Sequence, residues 1–166
     1  MLIEAPIENL FSPSQAKDEG GGNDEGIDWL DLTWEECARR AIRKETRSGR
    51  VIRTLLKLGK VLHHGDVLLR ASHNIVAVNL LPCEVFVGEP KNSAQAIALA
   101  YKLGDLHVPV EASDVELITP CDGPVQAIFH EAGIAYRTET RRFQPALRST
   151  TLQMSLAKDF EVVIAR

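Results

Sequence analysis

The sequence predicts an α+β protein: a small all-β domain over residues 27–81, followed by a ferredoxin-like βαββαβ domain over 82–146. Two observations predict it. Between Asp28 and Leu80, short β-branched or leucine-rich runs are separated by turn signals at close intervals, the pattern of a small sandwich or barrel-like domain. From Leu81 the periodicity changes, and strand-like and helix-like stretches follow in the order β-α-β-β-α-β, the split βαβ arrangement.

Residues 1–26 read as a disordered acidic leader. Pro6, Ser12-Pro13-Ser14 and Gly20-Gly21-Gly22 interrupt it, and the acids from Asp18 to Glu25 give it too little apolar surface to offset ordering. In the first domain two signals conflict. Thr33-Trp34-Glu35-Glu36 is a capping box, and Cys37, Ala38, Ala41 and Ile42 follow at helical spacing, so 34–44 alone reads as a short helix. Against this, the turn Arg47-Ser48-Gly49-Arg50 precedes Val51-Ile52 and calls for an upstream strand to complete a hairpin. Val61-Leu62, the turn His63-His64-Gly65-Asp66, Val67-Leu68-Leu69, a turn at Ser72-His73-Asn74 and Ile75–Val78 complete the domain.

In the second domain Cys83–Val87 is a strand. Asn92 or Ser93 caps a helix through Lys102 with Ala94, Ile97, Ala98 and Tyr101 on one face. Gly104 is placed to stop that helix in the left-handed conformation, and Pro109 to hold Val108 extended. Val108–Ala112 and Val115–Ile118 are strands split by Ser113-Asp114. Pro124 starts a second helix that turns Val125, Ile128 and Phe129 inward and ends at Gly133, and Ile134–Thr138 is the last strand. The tail, 147–166, receives no element.

Composition excludes several classes. The chain of 166 residues is 45% hydrophobic, with apolar runs too short to span a bilayer and no basic-then-apolar leader, so a cytoplasmic protein is expected. Cys37, Cys83 and Cys121 are widely spaced and form no CxxC pair, which excludes a readable zinc knuckle or disulfide framework. The net charge of −4 gives no general case for nucleic acid, and the strands of the second half lack the aromatics that stack bases. Charge is uneven, however. Ten acids face one base over residues 1–36, and nine bases follow over 37–60, so Arg39, Arg40, Arg43, Arg50 and Arg53 are candidates for a surface that meets an acidic partner.

No GxSxG, P-loop, GxGxxG or HExxH is present, and no cysteine has a histidine nearby in sequence, so an enzyme is not expected. Among the five histidines, His63, His64 and His73 sit in predicted turns and His130 in the last turn of a helix, where the macrodipole alone favours it. His107 differs. In Leu103-Gly104-Asp105-Leu106-His107-Val108-Pro109 its neighbours fix the backbone where helix gives way to strand. A lone histidine is more often structural than functional, and one imidazole does not hold a transition metal tightly. If His107 is a ligand, its partners come from elsewhere, and a two-fold axis pairing two imidazoles is the simplest source.

These motifs, in order, resemble the urease accessory protein UreE family of nickel metallochaperones. Leu32-Thr33-Trp34-Glu35-Glu36 is similar to the family's Leu-Thr-x-Glu-Glu, which there leads into a strand, and this decides about 39–46 toward β. Gly59–Leu68 resembles Arg-Gly-x-x-Leu-x-x-Gly-Asp-x-Leu, Leu103–Pro109 resembles Leu-Gly-Asn-Arg-His-x-Pro, and Phe143-Gln144-Pro145 resembles a closing Phe-x-Pro. The resemblance implies a partner- or peptide-binding β domain and a metal-binding domain that dimerises. By motif, His107 falls on the interfacial Ni²⁺ ligand, and the implied function is delivery of nickel to urease apoprotein with GTPase and scaffold accessory proteins. Copper and zinc are expected to compete.

Three departures stand out. Asp105 and Leu106 replace the usual Asn and Arg, Pro120–Pro124 replaces a segment that often holds a histidine, and no histidine follows His130. Cys121, Asp122 and His130 are the candidate auxiliary donors. The competing expectation is a protein-interaction scaffold of the same fold with weakened or lost nickel binding.

Overall fold

The computed structural model describes residues 2–11, 26–71, 74–113 and 115–146. The acids Asp18 to Glu25, the turn residues Ser72 and His73, Asp114 and the tail from residue 147 lie outside these.

The first domain is built on β1 (Glu8–Asn9), β2 (Ile27–Leu32), the one-turn helix α1 (Trp34–Cys37), β3 (Ala41–Glu45), β4 (Val51–Leu55), β5 (Asp66–Ala71) and β6 (Asn74–Leu80). Four strands form a sheet in the order β1-β5-β6-β2, with β2 parallel to β6, and β3-β4 forms a separate antiparallel hairpin. Period-two alternation decides which face of the hairpin is buried. Ile42, Ile52 and Thr54 point into a core with Leu30, Leu56 and Val78, leaving Arg43 and Arg53 outside.

The conflict at residue 34 resolves into both elements. The capping box forms: Thr33 Oγ1 accepts from the Glu36 N–H at 3.3 Å, and Glu36 Oε2 accepts from the Thr33 N–H at 2.9 Å. The helix nevertheless ends after one turn, because Ile42 is buried only when β3 pairs with β4. Tertiary burial outweighs the small helical preference of the segment. Val61-Leu62 is not a strand; Leu62 is buried in a loop, held by its N–H to the Cys37 carbonyl at 3.1 Å.

The acidic-leader expectation fails over residues 2–11. Ile3 is buried and bridges Thr54, donating to the Arg53 carbonyl and accepting from the Leu55 N–H, and β1 pairs with β5. Ile3 in the core, the β1-β5 pairing and the bonds of Ile7 and Leu10 to the Val67 and Gly65 carbonyls anchor a segment whose composition alone argues for disorder.

The second domain runs β7 (Cys83–Gly88), α2 (Ser93–Asp105), β8 (Glu111–Ala112), β9 (Leu117–Pro120), α3 (Gly123–Ala132) and β10 (Tyr136–Arg141). Its fully antiparallel sheet, ordered β10-β7-β9-β8, is the ferredoxin-like arrangement. Asn92 caps α2, Pro124 opens α3, and Gly133 closes α3 in the left-handed conformation at φ 63°. The strands are shifted from expectation: β8 is shorter and starts later, β9 is as long but two residues later, and β10 runs from Tyr136, opposite Gly88, to Arg141, opposite Cys83.

One face of this sheet holds both helices through Phe86, Leu99, Leu103 and Phe129. The other is sealed by Phe143, fully buried on Val85, Val87 and Ile118 and edge-on to Trp34 of the first domain at 5.3 Å. Arg142 Nε also donates to the Leu80 carbonyl. The sheet surface that would stack bases in an RNA-recognition module is therefore interior. No helix among the described residues is long and apolar enough to cross a membrane.

Candidate metal centre

The apolar face expected on α2 is not the buried one. Leu99 and Leu103 are buried and Ala96 packs beside them, whereas Ala94, Ile97, Ala98 and Tyr101 are exposed, Ile97 at 69% and Tyr101 at 75%. The helix carries two apolar stripes, and packing on the sheet beneath selects Leu99 and Leu103 for the interior. With Val115 and Leu106, also exposed, the outer stripe leaves an apolar surface beside the end of the helix.

That end differs from expectation too. α2 runs through Gly104 to Asp105, and Leu106 is the C-cap. The His107 N–H donates to the Gly104 carbonyl at 3.0 Å and the Val108 N–H to the Leu103 carbonyl at 2.9 Å. These paired bonds are a Schellman closure. The residue in its left-handed position is His107 itself, at φ 57°, the one non-glycine residue with positive φ among those described. The hydrophobic contact of such a cap explains the shift: closure here joins Leu103 and Val108 in one core, whereas closure at Gly104 would set Asp105 against Ala100.

Glycine is the usual residue at this position, and an L-residue there carries about 1–2 kcal/mol of strain. His107 is accepted in place of glycine, and its side chain is exposed. It stands over the last carbonyls of α2, the negative end of the helix dipole, which favours a cation. Lys102, in the same turn, lies 3.7 Å from Glu131.

The auxiliary candidates are spread out. Cys121 follows β9, its N–H bonded to the Glu84 carbonyl at 3.2 Å, and Asp122 is the exposed N-cap residue of α3. α2 returns from the far end of β7, so the fold brings His107 to the end of the domain where β7 begins and β9 ends. Burial, then the charge of Glu84, pushes the Cys121 thiol up, so it is a poor donor until a metal displaces its proton. His130 lies elsewhere, its Nε2 3.3 Å from the hydroxyl of Tyr136, which pairs with Gly88 at the far end of β7. Among the described residues no three histidine, cysteine or carboxylate side chains converge on a point.

Of the two described histidines of the first domain, His64 is held in the structure and His63 is exposed. His64 stacks between Phe11 and Trp29, with ring centroids 5.0 and 6.0 Å away. His63 Nδ1 lies 3.7 Å from the buried carboxylate of Asp66, and interaction with that carboxylate raises the pKa of His63. Of the arginines proposed for a partner surface, Arg40 Nε donates to the Leu56 carbonyl, Arg39 and Arg50 are exposed at the ends of the hairpin, and Arg43 and Arg53 oppose one another on its outer face. Sequence reasoning named the stripe of α2 that proves exposed and missed the buried one through Leu99 and Leu103, although apolar residues on more than one side of the helix were readable.

Comparison with known proteins gives one answer for both domains. Residues 7–81 match the family model "UreE urease accessory protein, N-terminal domain", and 82–157 match "UreE urease accessory protein, C-terminal domain". The urease accessory protein UreE of Actinobacillus pleuropneumoniae is 32% identical over 92% of this chain and 80% of its own length. That of Helicobacter pylori (strain G27) is 31% identical over 99% of each, and that of Lysinibacillus sphaericus (strain C3-41) 29% identical over 87% of this chain and 93% of its own. With both domains matched and a relative 32% identical over most of its length, the chain belongs to the UreE urease accessory protein family.

Proposed function

We propose that this protein is a non-enzymatic nickel metallochaperone of the cytoplasm, which binds Ni²⁺ at a two-fold dimer interface and passes it to urease apoprotein during maturation. The observation that supports this best is the backbone of His107: an exposed imidazole kept where glycine would be less strained. Strain retained at a surface residue is a pointer to function.

Two neutral imidazoles, one from each protomer, would donate ring-nitrogen lone pairs to the cargo ion, with water or mobile donors completing the shell. A site so open releases its metal readily and draws little selectivity from geometry, so copper would outcompete nickel at equal availability. Selectivity then falls to the partners, the GTPase and scaffold accessory proteins. Dimerisation is supported by the outer stripe of α2 and the open apolar groove beside it, lined by Pro90, Ala96, Ile97, Ala100, Val115 and Leu117. Covering Ile97 and Tyr101 would each contribute about 1–2 kcal/mol of apolar burial.

Equilibrium dialysis against Ni²⁺, paired with sizing, tests the reading. Wild type should bind about one tight ion per two chains and run as a dimer, and His107→Ala should lose that ion. Equal binding by both proteins would overturn the His107 site, and wild type without a tight ion would leave the fold serving as an interaction scaffold, the reading that the unusual neighbours Asp105 and Leu106 favour.

A further inference from the structure

The outer face of the β3-β4 hairpin bears an unrelieved charge conflict. Cross-strand register sets Arg43 directly opposite Arg53, and both are exposed. Like charges so placed destabilise a strand pair. Nearby bases have been neutralised: Lys44 Nζ lies 2.6 Å from Glu36, and Arg47 makes a two-pronged pair with Asp31. Among the described residues no ion pair involves Arg43 or Arg53, although Glu45 stands on the same face two positions away. Apolar side chains flank the pair. Leu55 lies opposite Ala41 and Val51 opposite Glu45, and Leu2 precedes Ile3, which runs parallel to β4 at Thr54; Leu2, Val51 and Leu55 are 55%, 45% and 38% exposed.

We propose that this face docks an acidic protein segment whose carboxylates alternate with apolar residues, the carboxylates meeting Arg43 and Arg53 and the apolar residues covering Leu2, Val51 and Leu55. Two guanidiniums on adjacent strands suit paired carboxylates, each taken up by a planar fork of donors. The aliphatic flank argues for protein, not nucleic acid: Leu2, Val51 and Leu55 flank the arginines, and the face carries no aromatic for base stacking. This surface lies in the first domain and does not depend on the metal reading.

The experiment is fluorescence anisotropy with a labelled peptide alternating glutamate and valine, run on the full chain. Wild type should bind it at low salt and release it as salt rises. Arg43→Glu with Arg53→Glu, which keeps a like-charge pair and so should leave the melting temperature unchanged, should weaken binding ~10-fold or more and acquire affinity for the lysine–valine counterpart. Arg53→Glu alone should raise the melting temperature by about 2 °C by turning the pair attractive. The proposal is overturned if the acidic peptide does not bind, if the double variant binds it unchanged, or if a single-stranded oligonucleotide competes for the face with equal affinity. It is also overturned if binding emerges only when Asp18, Glu19, Asp24 and Glu25 are neutralised, since the chain's own acids would then be the occupant.

Discussion

Two turns in this molecule present histidine, and they treat it in opposite ways. In the turn at residues 63–66 the left-handed position belongs to Gly65, at φ 83°, and one imidazole, that of His64, is drawn in between two aromatic rings, while His63 stays exposed beside Asp66. In the turn at residues 104–108 the left-handed position belongs to the histidine, and its ring stands outside. Where the chain requires only a reversal, glycine serves. Where histidine takes the strained position, the backbone aims a side chain, and stability is lost to do so.

The largest test of this contrast removes the anchor of the first turn. Asp66 is buried and accepts from Asn9 Nδ2 and from the His63 N–H, each at 2.8 Å. Asp66→Ala should destabilise the protein by about 2–3 kcal/mol, read as a lowered urea midpoint. Gly65→Ala should lose about 2 kcal/mol, since a Cβ there has φ 83° and would meet Phe11 Cδ2 at 2.4 Å. His107→Gly should have the opposite sign, raising stability by about 0.5–1 kcal/mol once relieved strain is set against the greater freedom of unfolded glycine.

The smallest effect is one of pH. Burial, aided by Arg142, lowers the pKa of His64, so its contribution is present above the unfolded value and lost as pH falls through the folded one. Asp66 raises that of His63, so its contribution is present below the unfolded value and lost as pH rises through the folded one. Melting temperatures between pH 5 and pH 8 should show His64→Gln reducing the loss on the acid side, and His63→Gln reducing the loss on the alkaline side.

Much of the second domain was legible because its signals are local: Asn92, Pro124 and Gly133 each act through bonds within a few residues. The features that were not legible depend on distant packing. Gly104 is the natural helix stop by residue type, but the cap is chosen by the contact joining Leu103 to Val108 in the core. Both stripes of α2 satisfy helical periodicity, and only the sheet beneath selects Leu99 and Leu103 over Ile97 and Tyr101. Ile3 lies in a segment with the composition of a disordered leader, and its place in the core follows from β4, about fifty residues onward. For the site itself, sequence identified His107 but not its backbone, because a histidine at positive φ has no signature in residue order.

The central claim is that His107 is held under strain in order to bind metal. Ni²⁺ dialysis on His107→Gly, with the melting temperature measured on the same preparation, tests it most directly. The account predicts a protein that melts higher and no longer retains nickel. Undiminished nickel binding by that variant would contradict it.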